Sequence, residues 1–315
     1  MGGIYLGIRV VSPLIVYMAI GIVAKKIKIL STKTFDEMNK LTFRVFLALL
    51  VFVNSYQADL NAFFSADSLK VILIAMASIF ILLSVSLIIG RQIIIDKERH
   101  IVITQGIYRS NLILFGLPIS ISIYGEGNQA TMSVLIAVIV PLFNIIAAIL
   151  LNSAKGGSRN KLTLILSALK NPLVIGSILG LAINAIGITL PEIVFTPIDK
   201  LAGIATPLAF ILLGGSLEFS NIKKDLKAIT CVSVIRLIIL PLAVITFATL
   251  SGLKDTNIVA LLALSGSPIA VSSYTMAKDA EVAPALAGEL VAVTTVVSTF
   301  TIFLWVASLS SLGLL

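Results

Sequence analysis

Long apolar runs separated by short polar loops make up almost the whole of this chain. A transmembrane helix needs about 20 mostly apolar residues to cross roughly 30 Å of hydrocarbon. We predict an all-α membrane protein with ten transmembrane helices, numbered here as spans one to ten: 4–24, 41–58, 69–90, 101–123, 131–151, 172–188, 198–217, 228–250, 256–276 and 284–308.

The composition agrees with this prediction. Of the 315 residues, 58% are hydrophobic and only 12% are charged, whereas soluble domains carry roughly 25% charged residues. The first apolar run is too long for a cleaved signal, and its lysine cluster, Lys25, Lys26 and Lys28, follows the run rather than precedes it. We therefore predict that this run is a retained helix.

Basic side chains lie in every second loop. The loops after the odd-numbered spans hold most of them: Lys25, Lys26, Lys28, Lys33, Lys40, Arg91, Lys97, Arg99, Lys155, Arg159, Lys161, Lys170, Lys223, Lys224, Lys227 and Lys278. By the positive-inside rule these loops are cytoplasmic, so both termini are predicted outside the cell membrane. This distribution explains the net charge of +8 without a nucleic-acid partner.

Similar phrases occur in the same order on both sides of the polar linker NSAKGGSRNK: SPLIVYMAIG and NPLVIGSILG, then GLPISISIY and GSPIAVSSY. Each half holds five spans, and an odd number inverts the second half relative to the first. We predict a first five-helix repeat (1–151), a cytoplasmic linker (152–171) with an interfacial helix at 161–170, and a second repeat (172–315).

The phrases GLP and GSP predict interrupted helices in spans four and nine. Proline inside a helix removes a hydrogen bond and clashes with a carbonyl. Freed main-chain groups are tolerated at membrane depth only within protein or beside a water-filled cavity. We predict that the two breaks cross near the membrane midplane, where half-helix ends attract ions; two simple proline kinks are the alternative.

Polar residues near these breaks are candidate ligands. Asn111 is the foremost, because its amide can donate to a carboxylate and accept from a hydroxyl; an interhelical packing bond is the alternative. The full predicted set is Asn111, Gly116, Pro118, Ser265, Ser267 and Pro268, with Asn54 and Ser55 facing them from span two. Gly214, Gly215 and Ser216 in span seven fit either the cavity wall or plain helix packing, and the motif GSILG at 176–180 favours internal packing over a dimer contact.

Three of the charged residues inside the predicted spans are candidates for the site: Arg109, Arg236 and Glu289. Charges inside a membrane are costly and usually face a partner or a pathway. Arg109 is a candidate for attracting an anion, and Arg236 is a candidate for an ion pair with Glu289; snorkelling to the interface is the alternative for both arginines.

The sequence contains few motifs that are suited to metal binding, redox chemistry or nucleophilic catalysis. Cys231 is the single cysteine, and His100 is interpreted as an exposed loop histidine, so no metal site and no cofactor is expected. Neither a phosphate-binding glycine loop nor the nucleophile motif Gly-x-Ser-x-Gly occurs. These features argue against an enzyme.

The motifs RSNLILFGLP, NPLVIGSILG, VIRLIILP and SGSPIAVSSYTMAKDAEV resemble those of the auxin efflux carrier family of permeases, which is related to the plant PIN-formed transporters. The resemblance covers essentially the full length. It implies the fold of bile-acid sodium symporters, with spans one, two, six and seven as a scaffold and spans three to five and eight to ten as a moving transport domain.

The resemblance also implies a transporter of small organic anions, such as malate, malonate or auxin-like acids, working by an elevator-type movement. Proton or sodium coupling stays open, although the isolated Glu289 favours a uniporter or a proton-coupled carrier over a multi-sodium symporter. A homodimer is implied by analogy. A membrane sensor with the same fold but without transport is the alternative.

Overall fold

The computed structural model describes residues 2–58, 60, 65–124, 130–155, 169–216 and 219–314. In these ranges the chain is almost entirely helical. We number the α-helices α1 to α14 in chain order: Gly2–Lys26, Thr32–Leu41, Leu47–Tyr56, Ala66–Ile93, Lys97–Tyr108, Leu117–Tyr124, Ala130–Ala154, Pro172–Ala185, Glu192–Ser216, Phe219–Val234, Leu240–Leu250, Asp255–Gly266, Val271–Asp279 and Pro284–Ser311. Three π-helical turns join neighbouring helices at Thr42–Phe46, Leu112–Gly116 and Ile235–Ile239.

Six helical stretches in the described ranges are long and apolar enough to cross a membrane: Lys33–Tyr56, Ala66–Gln92, Val134–Ala154, Glu192–Gly215, Lys223–Leu250 and Pro284–Ser311. The helices Pro172–Ala185 and Asp255–Gly266 are apolar but shorter. A multi-pass membrane protein follows from these lengths. They do not confirm the ten-span inverted repeat, and the interfacial helix predicted at 161–170 lies mainly outside the described residues.

Glycines bring two pairs of helices into close contact. A Cβ atom on Gly21 in α1 would collide with the Ile211 carbonyl in α9, and one on Gly214 in α9 would collide with the Met18 main chain in α1. In the same way, Gly176 and Gly180 in α8 lie directly against the main chain of α3. Small residues permit this close approach of backbones in membranes. The internal packing predicted for the motif at 176–180 is therefore confirmed.

Two helical segments are interrupted well inside the protein. The first is α5 and α6, which are separated by an extended stretch at 109–111 and a π-helical turn. The second is α12 and α13, which are separated by residues 267–270. Every residue from Ile258 to Gly266 in α12 is buried. The main-chain groups that lose their helical hydrogen bonds at this break are therefore surrounded by protein rather than by lipid.

The position predicted for the first break is wrong. The phrase GLP at 116–118 was expected to interrupt the helix, but Pro118 lies in the first turn of α6 and the chain is extended at Arg109 instead. The π-helical turn Leu112–Gly116 leads directly into α6, so Pro118 lies within a helical stretch that begins at Leu112 and does not interrupt it. The two similar proline phrases thus occupy different places relative to the two breaks.

Candidate functional site at the junction of two interrupted helices

The two breaks are joined by main-chain pairing. The Asn111 N–H donates to the Pro268 carbonyl at 2.8 Å, and Ser110 forms an antiparallel bridge with Ile269. This pairing gives partners to main-chain groups that neither interrupted helix can satisfy by itself. It holds the two breaks in direct contact, as the sequence predicts, although it uses residues 109–111 rather than 116–118 on the first side.

A small cavity of about 50 Å³ lies beside this junction. Its polar lining residues are Arg109, Ser110, Asn111, Asn144, Thr206 and Ser272, and no acidic residue lines it within the part of the chain that the structure describes. The Nδ2 atoms of Asn111 and Asn144 and the hydroxyl of Ser110 are buried and have no hydrogen-bond partner among the described residues. Because a buried unpaired donor is costly, these groups are suited to an acceptor-rich ligand.

Arg109 supplies a buried positive charge to this cavity. The residue is 1% exposed, so it does not snorkel to the interface. Its Nη2 atom donates to Asn144 Oδ1 at 2.6 Å and to Ser272 Oγ at 2.9 Å, and Nη1 lies 3.0 Å from Met276 Sδ. All three partners are neutral, so these contacts orient the guanidinium without neutralising its charge.

The first turn of α13 adds a second source of positive potential. Its N-cap, Ala270, provides no side-chain hydrogen bond, and residues Ala270, Val271 and Ser272 line the cavity. The free N–H groups of a helix N-terminus carry a partial positive charge that favours anions. The helix end and the Arg109 guanidinium therefore act on the same small volume.

Span two faces the cavity at a different level from the one predicted. Leu47, Leu50 and Val51 line it, whereas Asn54 and Ser55 do not. Asn54 donates its Nδ2 to the Leu50 carbonyl within α3 at 2.7 Å, and the buried Ser55 lies against α8, where its carbonyl accepts from Asn184. The structure thus places Asn54 and Ser55 outside the lining of this cavity.

Four further predicted residues surround the junction without lining this cavity. Ser265 donates to the Leu261 carbonyl in its own helix at 2.6 Å, and Gly116 packs closely against Met132 and Ala263. Ser267 has a buried hydroxyl without a partner, and the carbonyl of Pro268 accepts from Asn111. For Pro118 the structure describes only the main chain.

Arg236 does not form the predicted ion pair with Glu289. It is 1% exposed, and it donates to three main-chain carbonyls: Ser267 at 3.1 Å, Leu264 at 2.5 Å and Ile107 at 3.4 Å. Glu289 is also buried.

The pKa of a different arginine, Arg99, lies above its usual value. The main cause is the hydrogen bond between Arg99 and Asp225, and the negative field of Glu289 adds a smaller contribution to this rise.

His100 is not the exposed loop histidine that the sequence indicated. It is 5% exposed, and its Nε2 atom lies 2.8 Å from the Ser86 carbonyl. Gly90 makes room for the ring, because a Cβ atom there would lie within 2.9 Å of Nε2. Within the described residues, no group of three or more His, Cys, Asp or Glu side chains is placed to hold a metal ion.

A larger cavity of about 510 Å³ lies next to the junction, and we call it the vestibule. It is lined by Phe43, Arg44, Ala148, Leu151, Asn152, Lys155, Lys170, Asn171, Pro172, Met276, Asp279 and Ala280. Several of these residues belong to the loops predicted to be cytoplasmic. The Met276 side chain lies between the two cavities, because it lines the vestibule and also contacts Arg109.

Comparison with known proteins identifies the family. The model of the membrane transport protein family, Mem_trans, matches residues 7–163 and 158–306, which together span most of the chain. This chain belongs to the membrane transport protein family. It is the auxin efflux carrier family that the motifs indicated. The chain is also similar to an uncharacterized transporter of Methanothermobacter thermautotrophicus, with 22% identity over 92% of this chain and 94% of the relative.

Asn144 is a site residue of this membrane transport protein that the sequence motifs did not indicate. It lies in the apolar phrase PLFNIIAAIL of α7, is 2% exposed, and accepts the shortest of the three Arg109 contacts. A single amide within an apolar span is itself a signal of function or packing in membrane proteins. Its role beside Arg109 is visible only in three dimensions, since the two residues are far apart in sequence.

Proposed function

We propose that this membrane transport protein carries small organic anions with a carboxylate group. The observation that carries the proposal is the buried Arg109 guanidinium beside a cavity with unpaired amide donors and no acidic lining residue. A charged guanidinium and a carboxylate form the strongest type of hydrogen bond available to side chains. A buried positive charge therefore favours an anionic cargo over a neutral or cationic one.

Malate, malonate and auxin-like acids are the substrates that the family resemblance implies. A carboxylate accepts hydrogen bonds only, which matches Arg109, Asn111, Asn144 and the first turn of α13. The cavity of about 50 Å³ is much smaller than the roughly 300–1,000 Å³ of typical ligand pockets. In the proposed mechanism, the helices around it separate to admit the anion.

We propose an elevator-type movement as the transport mechanism. In this arrangement spans one, two, six and seven form a scaffold, and spans three to five and eight to ten carry the anion. The close glycine contacts of α1 with α9 and of α3 with α8 support a rigid scaffold. The vestibule between α8, α7 and the end of α13 supports access from the side with the basic loops.

The same proposal includes ten spans in two inverted repeats, 1–151 and 172–315, joined by the linker 152–171, in the cell membrane. The positive-inside distribution supports external termini. A homodimer is part of the proposal by family analogy alone.

Uptake of labelled malonate and malate into proteoliposomes tests the proposed function. We expect saturable flux in the wild type. Asn111→Ala should weaken apparent substrate affinity by up to about 10-fold, because it removes one neutral amide donor and a typical hydrogen bond contributes about 0.5–1.5 kcal/mol. Flux of the Asn54→Ala variant serves as the matched control, since Asn54 donates to the Leu50 carbonyl of its own helix and is not among the described residues that line the cavity.

Saturable binding of these acids without flux, with or without an imposed potential or ion gradient, would favour a sensor over a transporter. Absence of both binding and flux for all carboxylates tried, together with transport of a cation, would contradict an anion site at Arg109.

Two ion pairs connect the proposed scaffold to the proposed transport domain on the basic side. Asp36 Oδ1 lies 2.9 Å from Lys278 Nζ, and Arg44 Nη2 lies 3.5 Å from Asp279 Oδ1. An exposed pair contributes up to about 1 kcal/mol, which corresponds to a shift of up to about fivefold in a conformational equilibrium. We expect Lys278→Ala to reduce the population with an open vestibule by this amount.

Maleimide labelling of Ala148→Cys, in a Cys231→Ser background, measures that population because Ala148 lines the vestibule. Labelling should slow in Lys278→Ala and recover in the swapped pair Asp36→Lys with Lys278→Asp. The control is Lys33→Ala, which removes an ion pair to Glu37 within α2. Equal slowing in the control would refute the conformational role of the Asp36–Lys278 pair.

A further inference from the structure

The two interrupted helices end in carbonyl groups that face one side chain. The last carbonyls of an α-helix lack intrahelical partners and carry a partial negative charge. Here α5 ends at Tyr108 and α12 ends at Gly266. A pair of helix C-terminal ends at a break is the kind of site that binds the coupling cation in many carriers with broken helices.

Arg236 already fills the position between these two ends. Its guanidinium donates to Ile107 of α5 and to Leu264 and Ser267 at the end of α12. The side chain is 1% exposed. One rigid, planar cation therefore satisfies carbonyls from both interrupted helices at once.

The surrounding turn explains how an arginine reaches this position from a lipid-facing helix. Arg236 belongs to the π-helical turn Ile235–Ile239, in which Arg236 and Leu237 are buried while Ile238 and Ile239 are exposed. Trp305 of α14 fixes the turn by donating Nε1 to the Leu237 carbonyl at 2.9 Å. Pro241, just after the turn, has no N–H to donate back to it.

We propose that Arg236 is a tethered cation that takes the place of a coupling metal ion at the C-terminal ends of α5 and α12. It extends the proposed transport function, because anion binding at the junction would then require no Na⁺. The positive and the negative helix ends then have separate electrostatic roles. The open N-terminus of α13 and Arg109 face the anion, whereas the negative helix ends are neutralised permanently by the protein itself.

Thermal unfolding of the purified protein in detergent tests this inference without a substrate. In choline chloride, replacement of choline by Na⁺ or K⁺ should leave the wild-type midpoint unchanged. Arg236→Ala should unfold at least about 5 °C lower, because three buried carbonyls lose a charged donor. Millimolar guanidinium, Na⁺ or K⁺ should restore part of that loss in Arg236→Ala alone. Arg91→Ala is the control, since Arg91 is exposed at the end of α4.

Two conservative variants keep the test decisive if Arg236→Ala does not fold. Arg236→Lys retains a charge, whereas Arg236→Gln retains donors without a charge. We expect the lysine variant to be the more stable of the two. A glutamine variant as stable as wild type, an alanine variant that responds to no cation, or a wild type stabilised selectively by Na⁺ would each overturn the inference. None of these results depends on whether the protein transports anions.

Discussion

Replacement of Arg109 by glutamine is expected to weaken carboxylate uptake by about 10- to 150-fold in apparent affinity. The estimate corresponds to the loss of about 1.5–3 kcal/mol for a hydrogen bond to a charged group. Among the described residues, Arg109 is the one arginine that lines the small cavity at the junction, and its neighbours Asn144 and Ser272 hold it without neutralising it. The measurement is the concentration dependence of labelled malonate uptake into proteoliposomes.

Two further variants distinguish the effect of the Arg109 charge from that of its side-chain geometry. Arg109→Lys keeps the charge but loses the fork geometry that contacts Asn144 and Ser272, so an intermediate affinity is expected. Arg91→Gln changes an exposed arginine and should leave uptake unchanged. A folded Arg109→Gln protein with wild-type uptake would rule out Arg109 as the anion-attracting group.

A large loss of stability is expected for Gly214→Ala. The added Cβ atom would collide with the main chain of Met18, which cannot move aside as a side chain could. Overpacking of this kind costs about 1–3 kcal/mol, or more where only backbone can yield. We expect the thermal midpoint of the purified protein to fall by about 5 °C or more, with a matching loss of folded material after extraction.

Gly203→Ala is the matched control, because Gly203 lies in the same helix, α9, and has no neighbour that an added Cβ atom would touch. Alanine is favoured over glycine in a helix by about 1 kcal/mol, so this variant should be unchanged or slightly more stable. If both variants unfold at the same temperature, the close contact between α1 and α9 does not contribute to stability.

Several site residues could be predicted from local sequence alone. Arg109 and Asn111 are polar residues in an apolar span, and Pro268 interrupts another. Each of these signals is local, because the transfer of a polar or helix-breaking residue into hydrocarbon is costly wherever the rest of the chain lies. The structure places all three at the junction of the two breaks.

Other residues were assigned to the wrong surroundings. Arg236 was expected to pair with Glu289 but contacts carbonyls of two different helices, and His100 was expected in an exposed loop but is buried against Ser86. In both cases the partner is a main-chain carbonyl. Every residue carries the same carbonyl group, so no sequence pattern marks which one will accept.

The sequence by itself determined that this is an all-α, multi-pass membrane protein and which family it belongs to, because apolar length and short motifs depend on neighbouring residues only. Tertiary structure alone decided where the first helix is interrupted. Pro118 lies within helix α6. The chain is extended at Arg109 instead, beside the hydrogen bond that the Asn111 N–H donates to the Pro268 carbonyl. A helix can be interrupted where the main chain of a distant segment replaces its lost hydrogen bonds. Whether such a segment lies nearby depends on how the helices pack.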